Sequence, residues 1–570
     1  MTRFSVWAPI HSQVHVVVDG AEHQMTQDGE WFVAEVQCRP DARYAYRLDD
    51  DPRALPDPAS RRQPDGVHGP SQLYDQSAFT WTDAAWSGHA LPDSVIYELH
   101  VATFTPAATF DSAIERLPHL VDLGITHVEL LPVNAVNGVW NWGYDGVGWY
   151  ATHEPLGGPD GLKRFVDAAH GLGLAVVLDV VYNHFGASGN YAVQFGPYLK
   201  EGRNTWGDLV NLEARPVRRF ILDNALMWLR DFHVDGLRLD AVHALVDTST
   251  PHVLAELAGE VEQLAAEVGR PLTLIAESDL NDPKMITARN DGGYGLDAQW
   301  DDDVHHALHS TLTGETQGYY ADFAPLSALA KVLTRAFFHD GAYSSFRGRN
   351  HGKPVDRVST PGYRFIAFLQ DHDQVGNRAV GDRLPELIGP ERLKIGAILL
   401  LTSAFTPMLW MGEEWAASTR WPFFTSHPEP ELAAAVGAGR LAEFESHGWD
   451  TSTMIDPQDT LAYQGAVLDW AELERGAHAE MLAFYRRLIS LRRREPELSD
   501  PRLDQVEVDF GESGDWLVMR RGSLRVVANL SDDPHDFPMV VREELLTTGD
   551  VANEVDRLRL AGQSAAIVRV

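Results

Sequence analysis

A chain of 570 residues with 44% hydrophobic and 23% charged residues has a globular composition, unlike a disordered chain, and is long enough for several domains. Its 82 acidic and 47 basic residues leave a formal charge of −35, which argues against nucleic acid and membrane surfaces as partners, since both need clustered Lys and Arg. Cys38 is the only cysteine, so no intrachain disulfide is expected; without a signal-length or membrane-length apolar run, the chain reads as soluble and cytoplasmic.

Residues 1–85 carry short alternating runs, FSVWAP, QVHVVVDG, EWFVAEVQ and ARYAYRLDD, broken by Gly, Asp and Pro, and predict a small β-sandwich. The Pro- and Gly-rich stretch LPDPASRRQPDGVHGPS reads as a connector. From about residue 93 to 430, strand-like apolar runs alternate with amphipathic stretches such as GLKRFVDAAHGLG and VRRFILDNALMWLRDF. Strands are predicted at 95–101, 126–133, 174–181, 235–242, 272–278, 295–300, 365–370 and 407–412. Eight such repeats fit a closed (β/α)8 TIM barrel better than an open sheet, so the fold class is α/β. The long, aromatic, Gly-rich segment from His184 to about Glu213 predicts a loop excursion over the site. AEMLAFYRRLISLRRREPEL predicts a basic amphipathic packing helix, and WLVMRRG, LRVVANLS and AAIVRV predict strands of a small β domain. The expected domains are a carbohydrate-binding-module-like sandwich at 1–85, the barrel with loop insertions at 86–495, and a C-terminal β domain at 496–570.

Four barrel segments end in chargeable groups: DVVYNH (Asp179–His184), GLRLDAVH (Gly236–His243), IAES (Ile275–Ser278) and FLQDHD (Phe368–Asp373). A carboxylate after a buried apolar run is costly unless it has a partner or a task, and C-terminal strand ends hold the active site of a barrel. The strand period of two puts Gly236, Arg238 and Asp240 on one face, so Arg238 can hold Asp240 ionised and oriented, as a nucleophile requires. A structural Arg–Asp pair would give the same pattern. Glu277, flanked by Ala276 and Ser278, is set for a raised pKa and a general-acid role, although strand-end glutamates also cap helices. Asp373 is a second acid that can bind sugar hydroxyls or tune Glu277, while Asp179, Asn183 and His184 supply donors and acceptors. The loop WNWGYDGVGWY sets Tyr144 and three tryptophans among glycines; with Trp206 it suggests rings that lie against a pyranose face. No GxxxxGKS/T loop or strand-linked GxGxxG points to a nucleotide. His305, His306 and His309 stand beside Asp301–Asp303, but HHALH is not the HExxH pattern, so neither a metal nor a cofactor is expected.

In the same order, these four segments resemble the four sequence regions of the α-amylase superfamily of retaining α-glycosidases (glycoside hydrolase family 13). The resemblance implies Asp240 as nucleophile, Glu277 as general acid/base and Asp373 as transition-state stabiliser. It further implies that Arg238, His184 and His372 bind the sugar at the cleavage point and that Tyr144 stacks on it. The VWAP module, the connector and the run from NWGYDG to VVYNHFG are similar to the malto-oligosyltrehalose trehalohydrolases within that superfamily. So are LDAQWDDDVHHALHSTLTGETQGYYADF, FLQDHDQVGNRA and GRLAEFESHGWD. This likeness implies hydrolysis of the α-1,4 bond beside the terminal trehalose of malto-oligosyltrehalose. The expected partner is that substrate or another α-glucan, and the expected state a monomer or homodimer. Asp279, Asp301 and His305, in the loops after strands four to six, are the expected contacts to the trehalose unit, with Glu413 at the end of strand eight as a further candidate, and His243 is an expected substrate contact. Alternatives are a glycogen branching or debranching enzyme, another α-amylase-type hydrolase, and a non-catalytic glucan-binding protein.

Overall fold

The computed structural model describes residues 1–446, 452 and 454–570. Eight parallel strands close into a barrel: β1 (Ile96–Leu99), β2 (His127–Leu130), β3 (Ala175–Val180), β4 (Gly236–Leu239), β5 (Thr273–Ala276), β6 (Ala298–Trp300), β7 (Phe365–Phe368) and β8 (Thr406–Trp410). Each pairs with its successor, and β8 with β1; every one falls on a run predicted from the sequence. All their residues are buried, because helices cover the outside while side chains fill the inside. Hence the strands read as apolar runs rather than as alternating patterns.

The outer helices include Gly158–Gly171, Arg215–Asp231 and Pro390–Leu401, each carrying Pro in its first turn, where a missing N–H costs nothing. Val253–Val268 and Asp302–Thr313 stop at Gly269 and Gly314 in the left-handed conformation. The basic helix spans Gly476–Arg494 and packs as predicted. Its buried Arg492 donates to the carbonyls of Leu401, Ser403 and Phe405 at 2.8–2.9 Å, which ties the chain to the entry of β8.

Ahead of the barrel stand two antiparallel sheets, Thr2–Trp7 with Trp31–Val36 and Thr26–Asp28, and Ala21–Gln24, Val14–Val18, Arg43–Leu48 and Ser71–Gln72. After it, Val506–Phe510, Trp516–Arg521, Leu524–Asn529, Ser564–Arg569 and Glu543–Thr547 form one sheet, and His535–Phe537, Leu558–Leu560 and Val551–Asn553 another. The excursion between His184 and Glu213 has structure of its own, a short helix (Ala192–Phe195) and a hairpin (Leu199–Arg203 with Asp208–Val210). The N-terminal sheets brace it: Trp7 meets Tyr198 edge-on at 5.1 Å, and His11 bonds the Gln194 carbonyl at 2.7 Å. Among the described residues, no helix is long and apolar enough to cross a membrane. The end of the GRLAEFESHGWD segment, residues 447–450, lies outside the described residues.

Candidate active site

The C-terminal ends of β3, β4, β5 and β7 bring their charged groups together in two layers. Parallel register sets Asp179 opposite Arg238, so both point into the barrel at one level. The Arg238 Nη1 donates to Asp179 at 2.7 Å and to Asp240 at 2.8 Å, while Nη2 stands 3.1 Å from Glu277. This guanidinium is 0% exposed and lies 4.3 Å from the Trp300 ring centroid. Above it the carboxyls open upward: Asp240 is 12% exposed, Glu277 20% and Asp373 37%. One sealed cation thus anchors two carboxyls that reach solvent.

Local structure fixes the two further. Asn183 donates to Asp240 Oδ2 at 2.7 Å, and its own Oδ1 accepts from His184 Nδ1 at 2.5 Å, which sets the orientation of the amide. Ala241, directly after Asp240, is left-handed at φ 40°, a costly state for a residue with a Cβ. That twist turns its N–H toward Glu277 Oε2, at 2.7 Å. The loop bearing Tyr144 needs a glycine for a similar reason: Gly143 sits at φ 109°, and a Cβ there would come within 2.1 Å of the Pro132 carbonyl oxygen. So placed, the Tyr144 hydroxyl donates to Asp179 at 2.6 Å and its ring stacks on His372 at 5.1 Å.

Burial dominates the electrostatics. It raises Asp240, Arg238 pulls back, Asp179 and Asp373 push further up, and the pKa settles at about 6. Glu277 is likewise raised, first by burial and then by Asp240 and Asp373, against the pull of Arg238. At neutral pH such a cluster can keep one carboxylate ionised against Arg238 and Asn183 while a neighbouring carboxyl holds a proton, the pairing that glycoside hydrolysis needs.

A family model described as "Alpha amylase, catalytic domain" matches residues 107–195, and one described as "Domain of unknown function (DUF3459)" matches residues 501–567. The chain is 55% identical to a malto-oligosyltrehalose trehalohydrolase of Arthrobacter ramosus, with 100% of this chain and 99% of the relative covered. It is 52% identical, with the same coverage, to one of Mycobacterium tuberculosis (strain ATCC 25618 / H37Rv). The chain belongs to the malto-oligosyltrehalose trehalohydrolase family, within the α-amylase superfamily. A Salmonella typhimurium crystal structure described as a candidate alpha amylase matches 100% of this chain and 97% of its own at 37% identity, with a TM-score of 0.92.

Within this trehalohydrolase scaffold the remaining predicted residues separate. His243 accepts from the Asp279 amide at 3.3 Å and faces Trp206, whose ring is 48% exposed at the tip of the excursion hairpin. Asp279 is bound by Arg347, which reaches in from the hairpin Tyr343–Ser344/Arg349–Asn350. Asp301 and His305 need correction as sugar contacts. Both Asp301 oxygens are sealed in the barrel wall. The His305 nitrogens are taken by the Leu369 carbonyl (2.8 Å) and the Tyr320 hydroxyl (3.0 Å). Asp302 is the member of that acidic run that faces the site: burial, then Glu277 and Asp279, push its pKa up to about 8. The histidines after it serve packing and hydrogen bonding, with His309 bonded to Glu315 at 2.7 Å. Sequence reasoning missed Asp302, Arg347 and Glu98, the last an acid in β1 whose carboxylate accepts from His372 Nδ1 at 2.6 Å. Only Glu98 carried a signal, an acid inside the apolar run VIYELHV.

Proposed function

We propose that this protein hydrolyses the α-1,4 bond beside the terminal trehalose of malto-oligosyltrehalose, releasing trehalose and a shortened malto-oligosaccharide. In the first step an Asp240 oxygen attacks the anomeric carbon as Glu277 gives its proton to the leaving glycosidic oxygen. A glycosyl ester on Asp240 results. Glu277, now a carboxylate, then takes a proton from water, whose oxygen attacks the same carbon and frees Asp240. Asp373 grips the sugar between them, with Tyr144, His184 and His372 around it, while Asp179, Asn183 and Arg238 hold the reacting groups from below. A retaining pair stands roughly 5–5.5 Å apart, against about 6.5–9.5 Å for an inverting one, and two carboxyls tied to a single guanidinium suit the closer class. Trp206, Asp279 and Arg347 form the rim on the acceptor side. We place the enzyme in the cytoplasm, where its lone Cys38 stays a free thiol.

The observation that carries this reading is the sharing of sealed Arg238 by solvent-reaching Asp240 and Glu277, in a chain that matches the trehalohydrolases from end to end. Product analysis on malto-oligosyltrehalose tests it. Free trehalose with anomeric retention is the expected result. Transfer to glycogen, debranching, or maltose as the main product would replace the reading with another activity of the superfamily.

A further inference from the structure

Resting on the reading of His372 as a sugar-facing group, we propose that Glu98 is a positioning residue: it takes the Nδ1–H of His372 and thereby presents a protonated Nε2–H to Asp373 and the substrate. Glu98 lies inside β1, 1% exposed, and both of its oxygens are spent on His372. Oε1 accepts from Nδ1 at 2.6 Å, and Oε2 accepts from the His372 backbone N–H at 3.0 Å. One carboxylate therefore fixes both the backbone and the ring of the residue next to Asp373. On the other side of the ring, Nε2 stands 3.6 Å from Asp373 Oδ2. Tyr144 stacks on the imidazole at 5.1 Å and Trp142 meets it edge-on at 5.7 Å, so the ring has no room to turn.

Chemistry follows from the identity of the Nδ1 partner. A carbonyl or hydroxyl there would leave a neutral imidazole; an acceptor-only carboxylate demands N–H at Nδ1 and favours the doubly protonated ring. The titratable groups facing His372 are Glu98 from β1, Glu129 from β2, Asp179 from β3, His100 from the turn after β1, and Asp371 and Asp373 on its own segment. Burial would lower the imidazole, but Asp373 and Glu98 overcome it, with a smaller pull from Asp371, whose own carboxyl burial pushes up, and the pKa comes to about 10. Glu129 lies level with Glu98 on β2, and burial and then Glu98 push its carboxyl well above the usual range. A charged donor bonds a sugar hydroxyl more strongly than a neutral one, and its position beside Asp373 keeps the two acting on the same sugar.

The test reads His372 directly. In histidine-labelled enzyme, the ring carbon resonance lost in His372→Gln assigns the group, and its shift is followed from pH 5.5 to 8.5. The native protein is expected to hold the ring-carbon shift of a doubly protonated imidazole across that window without titrating, and the shift of a neutral ring there would overturn the proposal. In Glu98→Gln the resonance should titrate within it, and kcat/KM should fall toward high pH about 10- to 100-fold further by pH 8.5 than the alkaline limb that Glu277 gives the native enzyme. A native His372 that titrates below pH 7.5, or a Glu98→Gln pH profile parallel to the native one, overturns the proposal. Should Glu98→Gln not fold, the native titration decides alone. Loss of trehalose release from the native enzyme would count against the proposed reaction and leave the His372 titration standing as an independent result.

Discussion

Replacing the proposed nucleophile should make the protein more stable, and the structure says by how much. Asp240 has a pKa near 6 in the fold against 3.8 in an unfolded chain, so its ionised form costs about 3 kcal/mol at neutral pH. With the folded value raised, the favourable contribution of this group is complete below 3.8 and lost as pH climbs through 6. Asp240→Asn removes the charge while its carbonyl oxygen can still accept from Arg238. It does not keep everything: the Asn183 amide, locked by His184, would now face another amide nitrogen, and the lost hydrogen bond takes back about 1 kcal/mol. The net expectation is a gain of about 2 kcal/mol at pH 7.5 that falls to about zero at pH 4.5, where ionising Asp240 still costs about 1 kcal/mol and offsets the lost hydrogen bond. Denaturant unfolding of both proteins at the two pH values measures this. A variant less stable at pH 7.5, or a gain independent of pH, would refute the argument that burial strains Asp240.

Other perturbations probe the same cluster. Arg238→Met strips a sealed site of the cation shared by Asp179, Asp240 and Glu277 and should cost about 3–5 kcal/mol at pH 7.5, easing toward acid as the carboxyls protonate; a loss under about 1 kcal/mol would exclude Arg238 as their anchor. Glu277→Gln should lower kcat by about 10²–10⁴-fold while calorimetry still detects substrate binding, and unchanged turnover would remove Glu277 from the mechanism. The native kcat/KM profile should have an acid limb near pH 6, belonging to the coupled carboxyls rather than to Asp240 alone; a limb near pH 4 would contradict the raised pKa. Asp279→Ala frees Arg347 at the rim, so losses should be greater on trehalose-capped substrate than on plain maltodextrin, and equal losses on both would deny the rim a part in selectivity.

Much of this site was legible in the sequence because its signal is one-dimensional. A charge directly after a buried run stands out in DVVYNH, GLRLDAVH, IAES and FLQDHD, and the eight runs themselves mark the barrel. What the string does not hold is the relation between strands. Whether Asp179 lies level with Arg238, or Glu98 with Glu129, depends on barrel register, which no single strand encodes. For that reason the sealed and open layers could not be told apart, and Glu98 in VIYELHV passed as one more strand residue. In the run Asp301–Asp303, adjacent acids point different ways, and the sequence alone favours Asp301, one of the two that are buried, over Asp302. Arg347 sits in a polar hairpin with no periodicity, so nothing local tied it to Asp279.

The two layers also explain why the site tolerates its own strain. Arg238 supplies one positive charge to Asp179, Asp240 and Glu277, and the charge of His372 is matched by Glu98, so the site's own side chains carry more carboxyl than cation. A neutral sugar does little to correct that. An oxocarbenium-like transition state brings a positive charge to the point above Asp240 and beside Asp373, and it is there that the excess is relieved. Stabilisation available only in the transition state raises turnover without tightening ground-state binding. The roughly 3 kcal/mol that ionised Asp240 costs the resting protein is therefore of the right sign and place to serve catalysis, at most about a hundredfold in rate. Adding a second cation to the sealed layer would relax the resting protein and, by the same reasoning, slow the reaction.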